Sequence, residues 1–295
     1  MKRSKEARDG HRNRHSQHRP GTTGAQLLDW ARRAEAAGFS SLATIGAVSY
    51  PGYEELTVFA AAGAVTERIR FMSNVLIAPA RSAAELAKQA ASVDQLTGGR
   101  LTLGVGIGWR ATDFQLTGRD FASRGHQFDE QLRDLQRAWA GEAIAEGTRP
   151  VGPPPVQQPG PPLIIGGTAD ASFRRVVEFG SGWTAGGLPP DAVGPMVENV
   201  QSAWSQAGRE GRARIVALTY FSLGDTLEDS RRSLLDYYQP MGSEMAEMIA
   251  GSALRSVESI TAAVDAYAQV GVDELIFDPT VSDPEQVDLL AEAVF

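Results

Sequence analysis

From Thr22 onward, apolar positions recur alternately at helical and at strand spacing. Leu27, Trp30, Ala31 and Ala34 form a helical stripe behind Thr23 and Gln26, which fit a capping box, and Gly38 is a C-cap signal. The pattern then predicts a strand over Ser41–Ile45, a helix over Phe59–Val65 and an apolar strand over Arg70–Ile77. Ser82 and Glu85 fit a second capping box ahead of Leu86, Ala90, Val93 and Leu96, and Gly98-Gly99 closes that helix. A strand over Leu101–Gly108 and an amphipathic helix over Phe128–Trp139 follow. Gly141–Pro162 carries seven of the sixteen prolines and reads as a long irregular loop, of a kind usually functional or disordered. Beyond it, strands are predicted over Leu163–Gly167, Trp183–Gly186, Arg214–Leu223 and Asp273–Asp278. Helices are predicted over Ala169–Phe179, Val193–Ala207 and Pro284–Val294, with a further helical stretch, Leu227–Ala268, broken near Pro240-Met241-Gly242.

Strands separated by helices pair in parallel through right-handed crossovers. Seven strands admit a doubly wound sheet or a closed (β/α)8 TIM barrel, and a chain of 295 residues suits the barrel. The first apolar element is a helix, so the slot of a first strand is missing its apolar strand or is taken by a polar arm. Residues 1–20 are that arm and residues 21–295 the barrel domain.

The arm carries seven Lys/Arg against two Asp/Glu, net +5, so the remainder carries −13 of the chain's −8. His11, His15 and His18 also lie there, and Met1 and Ala7 are its only apolar side chains, so a disordered, solvated arm is expected. The acidic remainder argues against a nucleic-acid-binding body. With no cysteine, disulfides, thiolate metal sites and cysteine nucleophiles are excluded, and four histidines leave no metal site to propose. No apolar run reaches the ~18 residues of a membrane span and no signal peptide is visible, which points to a cytoplasmic enzyme or binding protein with a small-molecule substrate.

Leu103-Gly104-Val105-Gly106-Ile107-Gly108-Trp109 ends a strand in alternate glycines that share one face. That face must admit something bulky, either packed side chains or a flat ligand. It is not the G-x-G-x-x-G dinucleotide fingerprint. Ile165-Gly166-Gly167-Thr168 ends a second strand and opens a helix, with Thr168 as a candidate N-cap and the backbone amides as a phosphate seat. Ser73-Asn74 interrupts an apolar strand and needs polar partners or a ligand-facing bulge. Tyr50, beside Pro51-Gly52, is a weak candidate proton donor or stacking partner, and His126 reads as a surface residue at a helix start. No nucleophile elbow, H-E-x-x-H or P-loop is present.

Several segments together resemble one family, the luciferase-like flavin monooxygenases and deazaflavin-dependent oxidoreductases. They are Leu76-Ile77-Ala78-Pro79, Ala87 to Ser92, Gly98 through Trp109, Arg124 through Glu130, Ile165 to Thr168, and Gly180-Ser181-Gly182-Trp183, in the family's order. The form with Arg100 and Gly108-Trp109 is similar to the actinobacterial subgroup that often uses coenzyme F-420 in place of FMN. The resemblance implies a TIM barrel, commonly a homodimer, with FMN or F-420 at the C-terminal ends of the strands. It implies a non-proline cis peptide at Asn74–Val75, ring-flanking positions at Gly108 and Trp109, and a ring-edge and phosphate loop at Gly166, Gly167 and Thr168. The expected activity is that of an oxidoreductase or monooxygenase on a small organic substrate.

Two positions depart from the family. Many relatives place an acid followed by His or Arg where Gly46 and Ala47 stand here, and an apolar first strand where the arm stands. Those departures motivate the rival reading of a catalytically impaired cofactor binder or truncated gene product. A phosphosugar lyase is a third reading, resting on Gly166-Gly167-Thr168 alone.

Overall fold

The structure, a computed structural model, describes residues 11–14 and 20–295. Eight parallel staves form a closed ring. They are β1 (His11–Arg14), β2 (Ser41–Thr44), a third stave split into β3 (Arg70–Ser73) and β4 (Leu76–Ile77), β5 (Leu101–Gly106), β6 (Leu163–Gly166), β7 (Gly182–Thr184), β8 (Arg214–Phe221) and β9 (Glu274–Pro279). Each stave pairs with the next, both halves of the third pair with β5, and β1 closes the ring between β2 and β9. The fold is the TIM barrel that the alternating pattern predicts.

The first-strand slot is filled by the arm itself. Asn13 and Arg14 register with Leu42 and Ala43, and His11, Arg12 and Asn13 with Leu275, Ile276 and Phe277. The expectation of an unstructured arm is corrected over His11–Arg14, because backbone hydrogen bonds close a ring edge whatever the side chains are. Residues 1–10 and 15–19 of the arm, His15 and His18 among them, lie outside the described residues.

Helices cover the outside. The main ones are α1 (Gly24–Ala37), α2 (Glu55–Gly63), α3 (Ala83–Leu96), α4 (Ala111–Thr117), α5 (Arg124–Trp139), α6 (Asp170–Phe179), α7 (Pro190–Gln206), α8 (Leu227–Tyr238), α9 (Ser243–Gly251), α10 (Val257–Gln269) and α11 (Glu285–Val294). The Thr23/Gln26 capping box forms in full. Ser82 caps α3 by accepting the Glu85 N–H and donates its hydroxyl to the Glu85 carboxylate, so the predicted box forms only in its Ser82 half. Helix α4 is missing from the sequence reading, because its two turns carry only Phe114 as a buried apolar anchor.

Alternation along the strands separates two cores. Leu42, Phe71, Leu103, Ile165, Ile215 and Phe277 face the helices, whereas Ala43, Met72, Ile164, Val216, Leu218 and Ile276 fill the barrel. The long loop 141–162 is packed against the barrel. The buried Asp94 accepts from the Val156 and Gln157 N–H groups, and Gln157 Nε2 donates to the Leu101 carbonyl, at the end of the barrel opposite the C-terminal strand ends. No helix among the described residues is long and apolar enough to cross a membrane, and no cluster of metal-ligating side chains occurs among them.

Candidate active site

The C-terminal strand ends form a mouth whose floor comes from the third stave. Ser73-Asn74-Val75 bulges inward between β3 and β4, and the Asn74–Val75 peptide is cis. The Asn74 N–H donates to the Thr44 carbonyl at 2.8 Å, and the Ser73 hydroxyl donates to the Gly104 carbonyl at 2.7 Å. The glycine row of β5 makes room for this bulge. A Cβ at Gly104 would strike the Ser73 carbonyl, one at Gly106 would lie 2.8 Å from Val75 Cγ2, and one at Gly166 would lie 3.1 Å from Val75 Cγ1. Of the two occupants the alternate glycines allowed, the packed side chain is therefore the one present, and Val75 is the surface offered to the mouth.

Gly108 takes a left-handed φ of 72°, a conformation that suits glycine, and its carbonyl accepts from Arg124 Nε at 3.2 Å. That turn presents Trp109, 42% exposed, at the rim. Across the mouth, the carbonyl of Gly167 (φ 119°) accepts from Trp183 Nε1 at 2.8 Å, and the chain leads through the exposed Thr168 into α6. The N-cap of α6 is Ala169 rather than Thr168, with no side-chain cap. Thr168 lies one residue too early to reach the first-turn amides. The amides at the start of α6 thus face outward without a side-chain partner, as an anion seat requires.

Gly46 ends the second stave. A side chain there would collide with Glu55 Oε1 and come within 2.6 Å of the Val75 carbonyl. Glu55 is buried and pairs with Arg81 Nη2 at 2.7 Å, while Arg81 Nη1 reaches Glu54 at 2.8 Å. Burial pushes the Glu55 carboxyl from its ordinary 4.5 up to about 7, against the pull of Arg81 and with added repulsion from Glu54 and Asp113. Asp113, fully buried, accepts the Ser49 N–H at 2.7 Å and so fixes the loop after β2.

Three consecutive residues at the end of α8 clasp three strand ends. Tyr50, the weak proton-donor candidate, donates its hydroxyl to Asp236 at 2.6 Å. Arg110, 5% exposed, donates to the Tyr237 carbonyl at 2.7 Å, with its guanidinium 4.1 Å from the Tyr237 ring and 4.3 Å from the Trp109 ring. Tyr238 pairs its hydroxyl with that of Tyr220 on β8. His126 is exposed and pairs only with Glu130 on its own helix, the surface role read from the sequence. Sequence reasoning missed Glu55, Arg110, Tyr220 and Asp278. The signal for Asp278 was present, as a carboxylate directly after the apolar run Leu275-Ile276-Phe277.

The family model of luciferase-like monooxygenases matches residues 9–293. An uncharacterized protein of Mycobacterium tuberculosis is 33% identical over 206 residues, 61% of this chain and 71% of that protein. The FMNH(2)-dependent dimethylsulfone monooxygenase of Pseudomonas putida is 25% identical over 193 residues, 62% of this chain and 52% of its own length. A solved F-420-dependent secondary alcohol dehydrogenase, in complex with an F-420–acetone adduct, superposes with a TM-score of 0.76 at 15% identity, covering 97% of this chain and 99% of that one. At that identity the likeness speaks for the fold.

Proposed function

The chain belongs to the luciferase-like monooxygenase family, and from that premise we propose that it is a flavin- or F-420-dependent oxidoreductase or monooxygenase acting on a small organic substrate at the barrel mouth. The observation that carries this reading is the pairing of a flat apolar floor, Val75 over Gly106 and Gly166, with the uncapped amides of α6 on the same rim. A tricyclic ring fits the first and its phosphate the second.

The cofactor, when bound, supplies the hydride or oxygen chemistry. The chain's residues bind and enclose it. Val75 would support the ring, Gly108 and Trp109 would flank it, and Gly166, Gly167 and Thr168 would hold its edge and phosphate side. Asn74 fixes the floor through its bond to the Thr44 carbonyl. The clasp of Tyr50, Arg110 and Tyr237 would hold the loops after β2 and β5 against the end of α8 at one side of the mouth.

The reading as an impaired binder draws on Gly46 and on the absent apolar strand. The first strand slot is occupied by His11–Arg14, and the space of a side chain at 46 is occupied by the Glu55 carboxyl. Titration of the purified protein with FMN and with F-420, followed by ring absorbance, is the test. Binding of either cofactor with a perturbed spectrum is expected, and no affinity for both overturns the proposal.

A further inference from the structure

The barrel mouth contains a buried tyrosine, paired hydroxyl to hydroxyl with a second one, that no step above has used. Val216, Leu218 and Tyr220 share the inner face of β8, and they register with Glu274, Ile276 and Asp278 on β9. Tyr220 (5% exposed) and Asp278 (fully buried) are therefore direct neighbours in the last inner layer before the mouth. The Tyr220 hydroxyl meets that of Tyr238, which is half-buried on α8 and borders the outside. Arg110, under the Tyr237 ring, adds positive charge at the same end of α8.

Resting on the function proposed above, we propose that Tyr220 exchanges the reaction's proton with the substrate and that Tyr238 passes it to and from solvent. A hydride leaving a substrate carbon leaves a cation behind unless a proton also departs from the attached heteroatom. In that oxidation the C–H electron pair goes to the flavin or deazaflavin, which is reduced. The heteroatom–H bond breaks, its proton passes to the Tyr220 oxygen, and the proton of Tyr220 moves to Tyr238 and on to water. The substrate gains a double bond to the heteroatom, and the reverse sequence balances a reduction. Tyrosine is one of the side chains that carry protons to and from a reacting group, and the Tyr238 hydroxyl gives the Tyr220 proton its onward partner.

The test uses the full chain with a fluorotyrosine at position 220, read by fluorine NMR with and without saturating FMN or F-420. The resonance is expected to shift when cofactor binds, and its titration is expected to move when Tyr238→Phe removes the second hydroxyl. Turnover is read with reduced FMN in aerated buffer and with F-420 and small secondary alcohols. Tyr220→Phe is expected to lower kcat by about 100-fold, in the range of a lost general acid, while cofactor affinity stays unchanged and the solvent deuterium isotope effect disappears. Tyr238→Phe is expected to lower kcat less. Failure of both cofactors to bind overturns the proposed function, and this role with it. Binding accompanied by a resonance indifferent to cofactor and to Tyr238→Phe, or by full kcat in Tyr220→Phe, overturns this role alone.

Discussion

Val75 occupies the space where Gly106 lacks a side chain, its Cγ2 lying 2.8 Å from the point where a Cβ would stand. The two residues belong to neighbouring staves, and each is the size it is because of the other. The inward bulge of the third stave is possible only where the facing strand carries no side chain. A glycine row that looks like a nucleotide motif is thus first a packing solution for Val75.

That relationship is testable as a double-mutant cycle. Gly106→Ala overpacks the bulge and is expected to cost about 1–3 kcal/mol in urea unfolding. Val75→Ala leaves a void and costs a similar amount. The two together are expected to recover about 1 kcal/mol or more relative to their sum, as for residues in direct contact. Strict additivity would show that the two side-chain positions do not compete for one space.

The raised carboxyl of Glu55 gives the protein a pH signature. Its proton is held more tightly in the folded state, at about 7, than at the ordinary 4.5. The stability tied to that proton is complete below 4.5 and is lost as pH rises through about 7. At roughly 1.4 kcal/mol per unit, this group accounts for a loss of up to about 3 kcal/mol on going from acid to alkaline buffer. Glu55→Gln is expected to flatten the thermal-melting profile over that window. An unchanged profile would place the carboxyl's titration in its normal range.

Arg100 joins the turn before β5 to the turn before β3. Its Nε donates to Thr97, its Nη1 to the Thr66 hydroxyl and the Ile69 carbonyl, and its Nη2 to the carbonyls of Gly63 and Thr66. Lysine offers a point charge with no planar fork, so Arg100→Lys is expected to destabilise the chain by about 2–4 kcal/mol through unpaired carbonyls. Denaturant midpoints at constant slope measure the effect, and a change under about 0.5 kcal/mol would contradict it.

The clasp on α8 predicts coupled motion. Removing the buried guanidinium in Arg110→Ala frees the Tyr237 carbonyl and the stacked rings of Trp109 and Tyr237. Amide hydrogen exchange is expected to quicken across α8 and α9, Leu227–Gly251, with the barrel strands unaffected. Equal acceleration in β5 and β8 would instead mark a global loss of stability.

Much of the architecture was legible from local pattern. The capping box at Thr23, the glycine stops and the alternation of two periods reproduce most elements to within a few residues. The largest errors have specific causes. Arg70–Ile77 reads as one strand because apolar residues flank Ser73-Asn74 on both sides, and the break at Ser73-Asn74-Val75 depends on a facing strand that periodicity does not see. Proline density marks 141–162 as irregular but not as packed, since its anchor, Asp94, lies on α3, far away in sequence. Thr168 looks like a cap by residue type, and the helix starts beyond its reach.

The sequence by itself determined the alternation of parallel strands with helices, the glycine-ended strands and the resemblance to the family, because these rest on local spacing and on residues close together in the chain. The tertiary structure decided which chain segment closes the ring, that Glu55 fills the space beside Gly46, and that Tyr50, Arg110 and Tyr220 meet one helix end. Apart from Gly46 and Glu55, nine positions apart, those facts join residues tens to hundreds of positions apart, and the free energy of such contacts depends on closure of the whole barrel, which no local window contains.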